Sequence, residues 1–405
     1  MLAATAYSHA PMNDPALPLS GLKVFDLSQG IAGPYCSMLL AAQGADVIKV
    51  EPPEGDWIRL QRQAIRGHVP AALSVNVGKR SLSLDLKHEP ARAAARRVAV
   101  GCDVVLESFR PGVVGRLGLD AATLRTQTPT LVYCSINGFG SSGPLSGRPV
   151  IDHVAQAYCG WMSLNADAQG VPQRTRNIVL ADQVTGLFAS QAITSALVRR
   201  FRRGDGATLE VTLAGAMAAF LAPRIVSHVL SEGRATQVEF TVPTGDYATA
   251  DGLLVIAVRT PADVDQLCAL AGCAGALDDP RFATPAARAQ HGEAMRQLLA
   301  QRLLARSALE WEALLAGQGL LACAVRDIGG FLASQAADGL ALVEEGQMPG
   351  FGPVPLVRVP GAAAWSGRER SAHPPAVGEH SREILLESGL TDFEIEAVLA
   401  APART

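Results

Sequence analysis

The residues most able to do chemistry centre on one stretch, Asn177-Ile178-Val179-Leu180-Ala181-Asp182-Gln183-Val184-Thr185-Gly186-Leu187-Phe188. Residues 178–181 form a short apolar run of strand type. Leu187, Ile193 and Leu197 then recur among Gly186, Ala189, Ser190, Ala192 and Ala196, the pattern of a tightly packed buried helix. Asp182 stands at the joint, where an N-cap belongs and where backbone N–H groups and the helix dipole favour an ionised carboxylate. Two readings follow from the residue alone: a structural cap, or a carboxylate nucleophile kept anionic by the helix end and aimed into a cleft. Asp152-His153 opens a further helix that carries Ala155, Ala157 and Gly160. His153 there is either a base or a structural histidine.

Around these lie basic residues in loop positions: Arg59, Lys79, Arg80, Arg110 and Arg116. They are either solvated charges or a phosphate site at one edge of a sheet, with Arg giving bidentate contacts and Lys a point charge. The Gly138-Phe139-Gly140 and Gly143-Pro144 turns let a ligand approach the backbone closely, or merely turn the chain. The net charge of −3 and pI near 6.3 offer no basic surplus for nucleic acid or an anionic membrane. The seven cysteines are scattered, lack any Cys-x-x-Cys pair, and leave Cys268 and Cys273 without His partners at zinc spacing. Reduced core thiols in a cytoplasmic protein are expected, with no metal. Residues 1–20 lack a basic start and a long apolar segment, so a loose tail is expected rather than a signal peptide. No run approaches the length of a membrane span.

The elements that must position these groups can be read in order. Residues 22–27 alternate as a strand, Gly30-Ile31-Ala32-Gly33-Pro34 turns into a helix over residues 35–43, and residues 46–51 form the next strand. That β-α-β unit calls for a parallel sheet. It lacks the third glycine of a dinucleotide fingerprint, so a nicotinamide cofactor is not expected. Strands over residues 81–86, 103–107 and 131–136, with a helix over 90–98, extend the sheet. From about Val226 the pattern changes. A hairpin over 246–258 turns at Asp251-Gly252, helices fill 261–318, and a strand covers 322–326. Residues 349–360 suit a strand returning to the first domain, and 381–400 suit two closing helices. The expected domains are the tail 1–20, a large α/β domain from 21–225, a small α+β domain from 226–330, and a segment 331–405 that returns to the large one. A 405-residue chain with 48% apolar residues can bury cores for two or three domains.

Taken together the segments resemble the class III CoA-transferases, a family that includes formyl-CoA:oxalate and carnitine CoA-transferases and, as a side branch, α-methylacyl-CoA racemase. The resemblance runs from about Ser20 to Ala400. It is carried by Ile31-Ala32-Gly33-Pro34, Gly44-Ala45-Asp46-Val47-Ile48-Lys49-Val50-Glu51, Gly78-Lys79-Arg80-Ser81 and Phe109-Arg110-Pro111-Gly112. The Gly138-Phe139-Gly140 turn, the Ala181-Asp182 joint and Pro375-x-x-Gly378-x-His380 complete the set. The resemblance implies a catalytic aspartate at Asp182 and CoA-binding positions at Gly30, Ile31, Arg116, Leu117 and Pro149. Arg116 and some of Lys79, Arg80 and Arg110 are then expected on the CoA phosphates. It also implies an open Rossmann-like parallel-sheet domain built from both chain ends, a smaller second domain, and two subunits interlocked like links of a chain. CoA enters as the acyl-CoA substrate.

The expected activity is transfer of CoA from an acyl-CoA to a carboxylic acid, with a small dicarboxylate such as succinate as the family-level acceptor, through an aspartyl-CoA thioester on Asp182. The alternatives are an acyl-CoA racemase using Asp182 and His153 as its acid/base pair, or a non-catalytic CoA-binding protein. Three departures bear on the choice. The racemase branch has a His where Ile151 stands, no glycine run lies between Gly233 and Gly245, and Pro52 replaces a common Arg after Glu51.

Overall fold

In the computed structural model, which describes residues 17–234, 241–366, 368 and 372–400, six strands form one wholly parallel sheet. These are β1 (Lys23–Asp26), β2 (Asp46–Glu51), β3 (Arg80–Ser83), β4 (Val104–Glu107), β5 (Val132–Asn137) and β6 (Ala207–Thr212), in the order β3-β2-β1-β4-β5-β6. Successive side chains point to opposite faces of a strand, and both faces here are covered. Val24, Val47, Val104, Val132 and Cys134 therefore enter one core, while Phe25, Ile48, Leu82, Val105 and Tyr133 enter the other.

The first core is closed by helix α1 (Ala32–Ala42) and contains Ile193 and Leu197 of a 24-residue helix further along the chain. The second is closed by helix α2 (Glu89–Val100) and by Ile384, Leu385 and Ile395 from the last two helices, Ser381–Glu387 and Asp392–Leu399. Both ends of the chain thus build the sheet domain. Helix α3 (Asp152–Tyr158), the short α4 (Trp161–Leu164), the long α5 (Leu180–Arg203) and α6 (Leu213–Phe220) follow β5 and flank β6. Gly186 sets how closely α5 meets α1. A Cβ there would lie 2.7 Å from the Ala32 carbonyl oxygen and 2.9 Å from the Tyr35 ring.

By contact density the chain divides into two units, residues up to Val226 with those from Leu342, and Ser227–Ala341 between them. The smaller unit is α+β. Its antiparallel sheet joins β7 (Gly245–Ala248), β8 (Leu253–Ala257) and β9 (Leu321–Ala324). Leu254, Ile256, Leu267, Met295, Leu299 and Trp311 fill its core.

The structure departs from the sequence reading in four places. Residues 178–179 are not a strand, because α5 already begins at Leu180. Strand β6 lies outside the strands that the sequence pattern implies. Only Ala207 of it is well buried, so an edge strand with Thr208, Glu210 and Thr212 lacks an apolar run. The segment near 349–360, expected as a strand returning to the first domain, falls within that unit but does not join the main sheet. It forms a separate antiparallel hairpin, β10 (Val343–Met348) with β11 (Gly352–Val357), packed on Met38, Leu39 and Trp365. Of the expected loose tail, residues 1–16 lie outside the described residues, whereas Leu17 is buried and in reach of Gly44. Among the described residues no single helix is long and apolar enough to cross a membrane. Leu213–Phe220 and Ala222–Leu230 reach that length only as a pair bent by 67°.

Candidate active site

Between β1 and β4 the strand order reverses, and the loops leaving the carboxyl ends of the strands part there. Ligands of open α/β sheets bind at such a point. A cleft of about 1330 Å³ lies along that edge. Gln29 and Ile31 after β1, Ser108 to Pro111 after β4, and Asn137 and Gly138 at the end of β5 form its floor. Asp152 and His153 at the start of α3, the segment 173–179, and Asp182 in the first turn of α5 form a wall.

Asp182 does not cap its helix. The N-cap position is Val179, which makes no side-chain cap bond, and Asp182 sits three residues further in. The cap comes from Asp152, thirty positions earlier in the chain. Its Oδ1 accepts the N–H groups of Ala181 at 2.6 Å and Asp182 at 3.3 Å. Asp182 is therefore released from structural duty. Its side chain is half-buried on the cleft wall, and burial, then the neighbouring Asp152 carboxylate, push its pKa up to about 7. The helix end was expected to keep this carboxyl ionised. Loss of solvation outweighs the helix end, because the dipole contributes only about 0.3–1 kcal/mol at a helix terminus. His153 also lines the cleft, its Nε2 3.9 Å from Asp152 Oδ2.

Of the expected CoA-binding positions, Ile31, Arg110 and Pro149 line the cleft. Gly30 lies just behind, at a φ of +80°, donating its N–H to both Asp56 carboxylate oxygens at 3.1 Å. A Cβ on Gly30 would fall 2.5 Å from the Trp57 ring, which itself lines the cleft, so only glycine suits the position. Arg116 is exposed and Leu117 packs against the α2-side core, both off the cleft wall.

Lys79 and Arg80 are not in the cleft. Lys79 is buried, with Nζ donating to Asp26 at 3.1 Å, the Pro34 carbonyl at 2.9 Å and Asn76 at 3.0 Å. Burial lowers its pKa to about 8, against the pull of Asp26. Arg80 is buried in β3 and bonds Asp46 at 2.9 Å, Glu387 at 2.7 and 3.0 Å, and Glu383 at 3.1 Å. Their charges are spent inside the fold. A buried charge must find a partner, and these two found carboxylates rather than phosphates. Arg59 likewise forms a bidentate pair with Glu51, at 2.8 and 3.0 Å. The Gly378–His380 motif is structural too. The Gly378 N–H donates to Ser81 Oγ at 2.8 Å and the His380 N–H to the Ser81 carbonyl at 3.0 Å.

In the glycine turn, the Gly140 N–H donates to Asn137 Oδ1 at 2.6 Å, and Gly138 lines the cleft floor. Three arginines that the sequence reading passed over line the cleft beside Arg110: Arg148, Arg174 and Arg176. All four are exposed, and none has a carboxylate within ion-pair distance among the described residues. Arg148 rests over the Phe139 ring at 5.6 Å. The available signal was Arg174-Thr175-Arg176, in a polar, aperiodic stretch that precedes the apolar run leading to Asp182. Among the described residues no group of three or more His, Cys, Asp or Glu side chains could hold a metal ion.

The profile of CoA-transferase family III matches residues 19–381. A probable fatty acyl-CoA transferase of Mycobacterium tuberculosis is 32% identical, over 93% of this chain and 99% of that protein. A succinate–glutarate CoA-transferase of Agrobacterium fabrum is 31% identical, over 91% and 95%. Among solved structures, a CAIB/BAIF family protein from Brucella suis superposes with a TM-score of 0.82 at 31% identity, covering 92% of this chain and 99% of that one.

Proposed function

The chain belongs to CoA-transferase family III and is a CoA-transferring enzyme, and on that footing we propose that Asp182 is its nucleophile and carries CoA as an aspartyl thioester. The observation that supports this most is the placing of Asp182: on the cleft wall, relieved of capping by Asp152, and facing a cleft with four arginines that have no carboxylate partner among the described residues. The carboxylate attacks the thioester carbonyl of the donor, and the CoA thiolate leaves to give a mixed anhydride. The thiolate then attacks the Asp182 carbonyl carbon, expelling the donor acid and leaving aspartyl-CoA. The acceptor carboxylate attacks that thioester. The thiolate leaves again and attacks the acceptor's carbonyl in the new anhydride, which restores Asp182. No net proton moves. A desolvated, basic carboxylate suits the first attack, and the Gly138 turn is the candidate donor to the developing oxyanion.

The acyl-CoA enters this scheme as substrate, and a small dicarboxylate is the proposed acceptor, in keeping with the relatives and the surplus of arginine. Mixing enzyme and one acyl-CoA with a panel of carboxylic acids tests the reading. New CoA thioesters are expected. α-Proton exchange without transfer would favour the racemase reading, for which His153 on the same wall is the observation.

Arg110, Arg148, Arg174 and Arg176 are proposed to divide the phosphates and the acid between them, with Gly30, Ile31 and Pro149 shaping the site. Arg116 and Leu117 are proposed to meet the distal end of CoA. Replacing a true phosphate contact by Ala should weaken CoA binding by about 1–3 kcal/mol, the range for charge-assisted bonds. Calorimetry on the four Ala variants reads this. Unchanged affinity in all four would return them to solvated charges.

The oligomer is proposed to be the interlocked homodimer, working in the cytoplasm. Each unit exposes large apolar side chains, Phe201 at 68% in the larger and Leu230 at 78% in the smaller, as an obligate interface would require. Light scattering should give twice 42.3 kDa. A stable folded monomer would contradict it.

A further inference from the structure

Asp152 is 3% exposed, a buried carboxylate that the proposed chemistry does not itself use. Its oxygens reach in two directions. Oδ1 takes the backbone N–H groups of Ala181 and Asp182, at 2.6 and 3.3 Å. Oδ2 takes the Gln156 amide at 2.6 Å. Gln156 is fully buried, and its Oε1 accepts the Thr175 N–H at 2.9 Å. Thr175 Oγ1 in turn accepts the Trp161 indole N–H at 2.8 Å. The residue between Arg174 and Arg176 is thereby pinned at two points, while both arginines stay exposed on the cleft wall.

We propose that Asp152 is a positioning residue for the transfer reaction: its carboxylate fixes the turn that carries Asp182 and, through Gln156, the arm that carries Arg174 and Arg176. This rests on the reading of Asp182 as the nucleophile. A side chain that only capped α5 would need an acceptor oxygen and no charge. The charge has a consequence of its own, since a like charge nearby favours the protonated carboxyl, second here to burial. The other titratable groups on elements packed against α5 are His153 and Tyr158 from α3, Tyr35 and Cys36 from α1, Tyr133 and Cys134 from β5, and Glu210 from β6. Helix α6 brings none. Arg174 and Arg176 lie on the segment leading into α5.

The test is single-turnover formation of the covalent CoA adduct on Asp182 as a function of pH, with steady-state transfer beside it. Asp152→Asn keeps an oxygen for the Ala181 N–H and removes the charge. Its rising pH limb should move to lower pH by about one unit. Gln156→Ala keeps the charge, so its limb should stay, while KM for the acyl-CoA rises by about tenfold as the arm loosens. A folded Asp152→Asn protein with an unmoved limb overturns the inference for the turn, and an unchanged KM in Gln156→Ala overturns it for the arm. Should Asp152→Asn not fold, the KM of Gln156→Ala decides. Absence of any adduct on Asp182 in the wild type is a separate outcome. It would overturn the nucleophile reading and this inference with it.

Discussion

Asp182→Asn should lose CoA transfer by about four orders of magnitude, because an amide cannot form the proposed covalent intermediate, and should at the same time make the protein more stable at pH 8. The second half follows from the site's electrostatics. Burial and Asp152 raise the Asp182 pKa to about 7 in the folded protein, from an ordinary 3.8. Between those values the native state holds a proton that the unfolded chain has given up, so stability falls as pH rises. The penalty is absent below about pH 4 and complete above about pH 7. Removing the charge should therefore gain about 1–3 kcal/mol in a urea melt at pH 8, after a discount for partial exposure, and nothing near pH 4. In the wild type, the kcat/KM for the acyl-CoA should climb through about pH 7 and then level, since in the proposed mechanism only the ionised carboxylate attacks. A destabilised Asp182→Asn protein at pH 8 would restore the capping role that the structure gives to Asp152.

Arg80→Ala should cost about 3–5 kcal/mol of stability, the range for breaking a buried ion pair by removing one partner. The guanidinium joins β3 to Asp46 on β2 and to Glu383 and Glu387 on the helix that follows residue 380. Asp46 is 4% exposed and would be left facing lost charge, while Glu387 keeps some solvent. Domain stabilities are only about 5–15 kcal/mol, so the loss should be plain in a thermal melt. Protein that remains folded should still bind CoA normally. Normal stability with lost CoA affinity would make Arg80 a phosphate ligand after all.

Much of the scaffold was legible because it obeys local rules. Leu22 to Glu51 shows alternating strand, glycine–proline turn, apolar helix and second strand. The hairpin at Asp251-Gly252 announces itself by turn residues alone, and β7 and β8 pair antiparallel around it. What was not legible depends on partners far away in the chain. Arg80 reads as a loop charge until Glu387, 307 positions on, is placed beside it. Lys79 does so until Asp26, 53 positions back, closes on it. The start of α5 was misplaced for the same reason. Its cap is a side chain from another helix, and residues 178–179 carry strand-type apolar content without a partner strand. Asp182 does line the cleft, but its surroundings differ from those the sequence implies. An exposed helix start would favour the anion, whereas this one is desolvated and faces a second carboxylate. Arg148, Arg174 and Arg176 sit on aperiodic segments, where no pattern marks which way a side chain turns.

An aspartyl-CoA thioester on Asp182 is the intermediate on which the proposed mechanism stands or falls. Incubating the wild-type enzyme with an acyl-CoA, then treating it with hydroxylamine or borohydride, converts an aspartyl thioester into a stable product that peptide mass can locate. The modification should appear on the peptide containing Asp182, require the acyl-CoA, and vanish when an acceptor acid is added first. An unmodified Asp182 peptide from enzyme that is actively transferring CoA would contradict it.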